Sequence, residues 1–349
     1  MRIGQITLNG NFNIGNRLQC YAAQIVCNQY GQTTNLVSEF TRERQDEGFK
    51  GQIKHVLKSI LRHNQEKYKK IRECNFAKFE KKICSVSFDF VDSNDYDFYV
   101  VGSDQVWNLN FRETNPQKFM LGFAASSKKI AFSPSIGVTT INDKQEKIFK
   151  KYLSDFVALS CREQQGAELV NKATGRECLA LIDPTLMLKP NEWEEVEVKP
   201  DFHDESTKYI LLYFLGQITE EYKEIINRIS ADSGYRIINI SNPKSVYYTC
   251  GPAEFIYMVR NAELVLTDSF HGSAFSYLFN RPFKIFMRTG GESMNSRLIN
   301  LVNVLHIPNS VFINTNSNPS EFFTCNYDKS YLADEQAKFK AYLDNAFKR

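Results

Sequence analysis

Short apolar runs and longer amphipathic segments alternate along the whole chain. The apolar runs predict buried parallel strands, and apolar residues at helical spacing predict the helices between them. One such alternation ends near residue 190, and a second begins at Tyr209 after a charged stretch. This pattern predicts an α/β protein with two facing, Rossmann-like doubly wound domains. We expect its active site in the cleft between the domains.

The sequence also predicts where the domains begin and end. Residues 1–190 form the first domain, with a charged helical insertion at about 50–83 that we regard as separate from the core. Residues 191–207 are rich in charge and form a linker. Residues 208–330 form the second domain, and residues 331–349 form a C-terminal helix whose docking domain the sequence leaves open.

The predicted elements follow the same alternation. Strands are expected at residues 3–8, 97–101, 129–132, 157–161, 179–182, 209–215, 236–240, 264–266 and 282–286. Helices are expected at residues 17–30, 143–156, 220–233, 252–262, 292–305 and 334–348, with a further helix after Ser269. Polar residues between a strand and the next helix are therefore candidates for ligand binding, because open α/β sheets bind ligands at the carboxyl ends of their strands.

The segment 263–280 combines a buried strand, a helix start and a histidine. Ser269 is a good N-cap, so backbone N–H groups of Phe270, His271 and Gly272 point out of the helix start and attract anions. Burial and the helix start both disfavour an imidazolium, so we expect His271 to be neutral in the free protein. The alternative is a structural histidine that already has a hydrogen-bond partner.

The connection between the first strand and the first helix, residues 9–16, is rich in glycine and asparagine. Its spacing is not GxGxxG, so we infer no nucleotide. Gly15 would allow the backbone to approach a ligand, and Asn13 and Asn16 would add amide donors and acceptors. A simple turn with a helix cap remains the alternative.

Four further residues are candidates: Ser103, Asp104 and Arg162 lie near predicted strand ends, and Arg297 lies within the predicted helix at 292–305. Ser103 and Asp104 could cap the following turn or bind substrate hydroxyls. Arg162 could bind a carboxylate or phosphate through two contacts, or form a salt bridge with Glu163 or a neighbouring residue. Arg297 is either a second anion contact or a surface charge.

Composition excludes several classes of function. The 43 basic and 40 acidic residues leave a net charge of +3 without a long run of like charges, so no nucleic-acid partner is expected. The eight cysteines show no CxxC pair, which argues against a metal site and favours reduced cysteines in the cytoplasm. The start of the chain lacks the apolar region of a signal peptide, and the longest apolar run is too short to cross a bilayer.

Four ordered segments resemble the polysaccharide pyruvyl transferases. They are NFNIGNRLQCYA at 11–22, VGSDQVWN at 101–108, DPTLML at 183–188 and TDSFHG at 267–272. Together they extend over most of the chain, from about residue 3 to about residue 300, so the ordered set is more specific than any single motif.

The resemblance implies transfer of a pyruvyl group from phosphoenolpyruvate to a diol of a sugar, with formation of a cyclic ketal and release of phosphate. The acceptor would belong to an exopolysaccharide, a capsule, a cell-wall glycan or a lipid-linked precursor. Phosphoenolpyruvate would be a co-substrate, with no other cofactor and no metal. The expected location is the cytoplasm, with peripheral association with membrane-bound glycan-assembly machinery left open.

The same resemblance assigns roles to the candidate residues. The catalytic residues would be His271, as the acid–base group, and Asp104. Donor-binding residues would be Arg162, Ser269, Phe270, Gly272 and Arg297, and acceptor-binding residues would be Asn13, Gly15, Asn16 and Ser103. The two-domain pattern also resembles GT-B glycosyltransferases, which leaves a nucleotide-sugar donor as one alternative and a non-catalytic glycan-binding protein as another.

Overall fold

The computed structural model describes residues 1–8, 10, 12–37, 56–111, 115–288, 292–313 and 322–348; for 56–63 and 292–294 it describes the backbone only. Within these ranges the strands of the first domain are β1 (Arg2–Ile6), β2 (Gln32–Val37), β3 (Ser85–Ser87), β4 (Phe98–Val101), β5 (Lys129–Ala131), β6 (Ser160–Cys161) and β7 (Leu179–Ala180). Those of the second domain are β8 (Tyr209–Tyr213), β9 (Arg236–Asn239), β10 (Leu264–Thr267) and β11 (Phe283–Ile285).

Helices follow most of these strands. They are α1 (Ile14–Cys27), α2 (Val56–Glu80), α3 (Pro116–Phe119), α4 (Asp143–Leu153), α5 (Gln164–Thr174), α6 (Pro190–Glu194), α7 (Glu220–Ser233), α8 (Pro252–Arg260), α9 (Phe270–Leu278), α10 (Glu292–Val304) and α11 (Ser330–Ala346). In the described part of the chain, no helix is long and apolar enough to cross a membrane.

The described strands form one main parallel sheet in each domain and a short two-stranded sheet, β6-β7, in the first domain. The first has the order β3-β2-β1-β4-β5, and a bridge between Ile130 and Ala158 connects it to the pair β6-β7. The second has the order β11-β10-β8-β9. Both orders reverse direction beside the first strand of their domain, which is the arrangement of doubly wound folds. The predicted fold class, an α/β protein with two Rossmann-like doubly wound domains, is confirmed.

Two details at the start of the chain differ from the prediction. Strand β2 was not predicted, because polar side chains interrupt its apolar pattern; Thr33 and Asn35 are nevertheless buried. Helix α1 begins at Ile14 rather than at residue 17, because the Asn13 side chain caps it by accepting a hydrogen bond from the Asn16 amide at 3.2 Å.

The charged segment predicted as an insertion separate from the core is in fact part of the core over its described residues. Phe76 and Phe79 at the end of α2 are buried. Arg72, also on α2, donates to the backbone oxygens of Tyr248 at 3.1 Å and Cys250 at 2.6 Å in the second domain. Helix α2 thus joins the two domains, and other charged side chains on it, such as Lys69 and Lys70, are exposed to solvent. Residues 50–55 lie outside the described residues.

The two domains share one hydrophobic cluster that runs through their interface. Trp193, from the segment predicted as a linker, is buried there, with its ring 5.7 Å from Tyr21 and 4.8 Å from Phe275. Its indole N–H donates to the backbone oxygen of Thr185 at 3.2 Å. The start of this segment, helix α6, therefore packs between the domains instead of connecting them as a free tether.

The C-terminal helix packs on the first domain. Phe339 is buried on α11 with its ring 4.9 Å from Phe132. The Tyr342 hydroxyl donates to the backbone oxygen of Ala131 at 2.6 Å, at the end of β5. The chain thus returns from the second domain to cover the sheet of the first.

Removing the Phe339 ring should test this placement. We expect Phe339→Ala to lower the free energy of unfolding, measured by urea denaturation, by about 3–5 kcal/mol, because a buried aromatic side chain is lost and a cavity remains. The matched control is Lys340→Ala on the exposed face of the same helix, which should change it by no more than about 0.5 kcal/mol. Equal effects of the two substitutions would contradict the packing.

Candidate active site at the domain interface

The candidate active site lies where strands of both domains end. Asp104 follows β4, Arg162 follows β6 and Asp183 lies three residues beyond β7, all in the first domain; His271 is in the first turn of α9, directly after β10. Contacts between these side chains cross the domain interface. The carboxyl ends of parallel strands thus meet from two sides, as the sequence predicted for the cleft.

Asp183 is the most buried member of this group, with 0 % of its surface exposed. One carboxylate oxygen accepts from the Thr185 amide at 3.0 Å and the Thr185 hydroxyl at 2.8 Å. The other accepts from Arg162 Nη1 at 2.7 Å and the Ser103 hydroxyl at 3.0 Å. Burial alone would raise the pKa of Asp183, but His271, Arg162 and the Thr185 amide outweigh it and lower this pKa, so the group is ionised.

No role was assigned to Asp183 from the sequence. It lies in the resembling segment at 183–188, but its position before a proline and a threonine is also that of an ordinary turn cap, and it does cap the short 3₁₀ turn at Pro184–Leu186. Only its contacts with Arg162 and Ser103, which are 21 and 80 residues away in the chain, identify it as a site residue.

Arg162 forms a salt bridge at 2.7 Å, as the alternative interpretation held, but with Asp183 rather than with Glu163. Its guanidinium group lies 4.5 Å from the centre of the Phe270 ring, so Phe270 supports the arginine from the second domain. Burial opposes its charge, but Asp183, Asp104 and Glu163 together raise the pKa of Arg162. In the described part of the chain, its buried Nε and Nη2 atoms have no hydrogen-bond partner.

The segment that carries Arg162 is held from both domains. The Ser135 hydroxyl donates to a carboxylate oxygen of Glu163. Asn300 of α10 donates to the backbone oxygen of Arg162 at 3.3 Å and accepts from the Gln164 amide at 3.3 Å. The position of the guanidinium group therefore depends on contact between the domains.

Arg297 is a buried site residue, so the alternative of a surface charge is wrong. Its Nη1 atom lies 3.7 Å from Asp104 Oδ1, and Arg162 Nη2 lies 3.8 Å from the same oxygen. Asp104 thus sits between two guanidinium groups, with its backbone in the left-handed region at a φ of 57°. Burial and the nearby Arg162 lower the pKa of Arg297 to about 10, which leaves it protonated at neutral pH.

His271 is 6 % exposed and faces the first domain. Its Nε2 atom lies 3.8 Å from Asp183 Oδ2 and has no hydrogen-bond partner among the described residues. This contradicts the alternative of a satisfied structural histidine. Burial lowers the pKa of His271, with Asp183 and Asp104 opposing the shift and the two arginines adding to it. The expected neutral imidazole agrees with this direction.

The start of α9 uses some of the predicted donor-binding groups for its own structure. The Ser269 hydroxyl accepts from the Gly272 amide at 3.4 Å. Gly272 also packs against β10, since a Cβ atom there would lie 2.4 Å from Thr267 Oγ1. The amides of Phe270 and His271 are therefore the ones that the helix start leaves for an anion.

The residues predicted to bind the acceptor separate into two groups. The Ser103 hydroxyl is buried and bonded to Asp183, so it does not face a ligand. Asn13 and Gly15 form the N-cap and first turn of α1, beside His271. Asn16 is buried, and its side-chain oxygen has no hydrogen-bond partner in the described residues. Asn16 thus has an unpartnered acceptor one residue after Gly15, which lies against the His271 ring.

Two further features bear on what could bind. A cavity of about 80 Å³ borders Arg162, Asp183 and Phe270. A groove of about 560 Å³ lies at the edge of the first sheet, where residues such as Arg2 and Phe90 and none of the predicted site residues line it.

Among the described residues, no group of three or more His, Cys, Asp and Glu side chains is placed to hold a metal ion. The expectation of a metal-free site stays a prediction.

Gly15 should be essential for the position of the His271 ring. A Cβ atom at Gly15 would lie 2.1 Å from His271 Nδ1, so Gly15→Ala should displace the imidazole and shift its ring NMR signals. Gly10→Ala is the matched control in the same connection, because a Cβ atom there meets nothing within 4 Å. Unchanged His271 signals in Gly15→Ala would contradict the contact.

Comparison with solved structures gives similar folds at low identity. A putative UDP-N-acetylglucosamine 2-epimerase from Listeria monocytogenes is 12% identical, with a TM-score of 0.49 over 99% of this chain and 90% of that one. The UDP-GlcNAc 2-epimerase from Neisseria meningitidis, solved with UDP-GlcNAc bound, is 10% identical, with a TM-score of 0.47 over 98% and 99% of the two chains. No curated protein sequence matches the chain.

The sequence model that describes the polysaccharide pyruvyl transferases matches residues 13–286, which is most of the chain. The match begins at Asn13, the cap of α1, and includes Asp104, Arg162, Asp183 and His271. The four residues at the centre of the candidate active site are thus within the matched range, whereas Arg297 on α10 lies beyond it. This chain belongs to the polysaccharide pyruvyl transferase family.

Proposed function

We propose that this protein transfers the pyruvyl group of phosphoenolpyruvate to two hydroxyl groups of a sugar, forming a cyclic ketal and releasing phosphate. The observation that carries this proposal is the buried guanidinium group of Arg162, whose Nε and Nη2 atoms have no hydrogen-bond partner in the described residues, close to a buried and equally unpartnered His271. Buried donors of this kind favour an anionic ligand, because an anion would satisfy them.

Phosphoenolpyruvate carries two anionic groups, and the site offers two kinds of anion contact. The two open nitrogens of Arg162 suit a carboxylate or phosphate bound through two parallel hydrogen bonds. The amides of Phe270 and His271 at the start of α9 suit the other group. Arg297 adds positive charge from α10, 3.7 Å from Asp104.

The chemistry requires one proton to be added to the donor and two to be removed from the acceptor. Protonation of the methylene carbon converts it to a methyl group and leaves a cationic carbon, which a sugar hydroxyl attacks; the second hydroxyl then displaces phosphate. His271 is neutral in the free site, and a bound phosphate dianion would favour its charged form, which would make it an acid. We assign Asp104 as the base.

The acceptor would bind from the side of α1. The unpartnered side-chain oxygen of Asn16 can accept a hydrogen bond from a sugar hydroxyl, and Asn13 adds a second amide at the helix start. We also propose that the protein acts in the cytoplasm, in the synthesis of a capsule, an exopolysaccharide or a cell wall. It would attach peripherally to membrane-bound glycan-assembly machinery.

Phosphate release tests the reaction directly. Wild-type protein should release phosphate from phosphoenolpyruvate only when a glycan acceptor is present, and His271→Ala should lower the rate by about 10²–10⁴ through loss of the acid. The control is His306→Ala, an exposed histidine on the second domain. Consumption of a nucleotide sugar instead would indicate a glycosyltransferase, and binding of glycan without turnover would indicate a glycan-binding protein.

Arg162→Lys should raise the KM for phosphoenolpyruvate by about 10- to 100-fold, because lysine cannot make a two-point contact. The matched control is Arg260→Lys, since Arg260 also binds a carboxylate, Glu197, through two nitrogens, but lies on α8. Steady-state rates with saturating acceptor would measure both. An unchanged KM in Arg162→Lys would exclude Arg162 from donor binding.

A further inference from the structure

The same oxygen of Asp183 that binds Arg162 also faces His271. Asp183 Oδ2 lies 2.7 Å from Arg162 Nη1, 3.0 Å from the Ser103 hydroxyl and 3.8 Å from His271 Nε2. Nε2 is buried and has no other partner among the described residues. The imidazole therefore has one nitrogen directed at a fully buried carboxylate and the other directed at Gly15.

We propose that Asp183 and His271 form a carboxylate–imidazole dyad, in which Asp183 fixes the proton on Nε2 and leaves Nδ1 to exchange a proton with the substrate. This inference rests on the proposed function for its catalytic meaning, but its structural part concerns the free protein. Asp183 is a positioning residue here, because four protein donors surround its carboxylate and none of its surface is exposed.

The tautomer follows from the charge and burial of the partner. A neutral imidazole carries one N–H group, and its other nitrogen presents a lone pair. An ionised carboxylate can only accept, so a lone pair on Nε2 would face it repulsively in a site that excludes water. An N–H group on Nε2 would be attracted, and a movement of about 1 Å would complete the hydrogen bond.

The position of the other ring nitrogen, Nδ1, explains why glycine occupies position 15. With the proton on Nε2, the group that exchanges protons is Nδ1, which lies against the first turn of α1. Any side chain at Gly15 would occupy the space beside Nδ1, where a substrate proton must arrive. The dyad and the acceptor-side helix thus meet at the same nitrogen.

Other charged groups also face His271 and must be included in its titration. They are Asp104 from the turn after β4, Arg162 from the turn after β6 and Arg297 from α10. Asp104 favours the charged imidazole as Asp183 does, and the two arginines oppose it. Removing the charge of Asp183 should therefore lower the pKa of His271, because one anion is lost and Arg162 loses its counter-charge.

Long-range ¹H–¹⁵N NMR spectra of the histidine rings would test the dyad in the free enzyme. The five histidines of the chain can be assigned with His271→Gln. Wild type should show His271 protonated on Nε2. Asp183→Asn should shift the population towards the Nδ1 tautomer, lower the pKa of His271, and reduce kcat by about 10²-fold or more, as expected when a carboxylate no longer fixes the tautomer.

Asp268→Asn is the matched control, because Asp268 is also a buried acid and lies in the turn between β10 and α9, three residues before His271. Its carboxylate accepts from the amides of Leu215 and Gly216 and from Arg288 Nε, each at 2.7 Å, and so points away from His271. This variant should leave the tautomer and pKa of His271 unchanged. Equal tautomers and pKa values in wild type and Asp183→Asn would overturn the proposal and leave Asp183 a purely structural role.

A second variant covers the case in which Asp183→Asn does not fold. Ser103→Ala removes a hydroxyl that lies 3.0 Å from both Asp183 Oδ2 and the backbone oxygen of Ser133, which should strengthen the attraction of Asp183 for His271 and raise the pKa of His271. No rise in this variant would contradict the dyad. Because the spectra are recorded without substrate, a dyad could be present even if the protein failed to release phosphate, so the two proposals can fail separately.

Discussion

The ion pair between Arg162 and Asp183 is the interaction on which the candidate site depends. Both groups are buried, and a buried charge is tolerated only when another charge and further hydrogen bonds compensate it. Asp183 accepts four such hydrogen bonds. Arg162 donates one of them, and its guanidinium group lies 4.5 Å from the centre of the Phe270 ring. Removal of either partner would leave an uncompensated charge at a cost of about 3–5 kcal/mol. The pair therefore ties the shape of the site to the stability of the interface.

The apolar interface makes this arrangement possible. Trp193 packs between Tyr21 of the first domain and Phe275 of the second, and Arg72 of α2 adds hydrogen bonds to the second domain. These contacts fix the distance between the carboxyl ends of the two sheets. Because water is excluded there, the electrostatic interactions among His271, Arg162 and the two aspartates are stronger than they would be at a surface. The same burial lowers the pKa of His271, which favours its neutral form.

The site combines rigid and unsatisfied groups in one place. Asp183 is saturated with hydrogen bonds, whereas Arg162, Asn16 and His271 each keep a buried atom without a protein partner in the described residues. Unsatisfied buried groups normally destabilise a protein, so their concentration at the ends of parallel strands points to a ligand as the missing partner. A reaction of the proposed kind would require an acid and an anion contact that the protein holds in fixed positions. It would also require that the atoms facing the substrates have no protein partner.

The sequence determined the local features of this protein. Periodicity predicted most strands and helices, and residue type at strand ends identified His271, Arg162 and Asp104 as site candidates, because cap chemistry and strand burial are decided by neighbours in the chain. The tertiary structure alone decided which partners these residues have. It placed Asp183 at the centre, turned the Ser103 hydroxyl inward, buried Arg297 and made α2 part of the core. Such contacts join residues far apart in the sequence, and no local pattern encodes them.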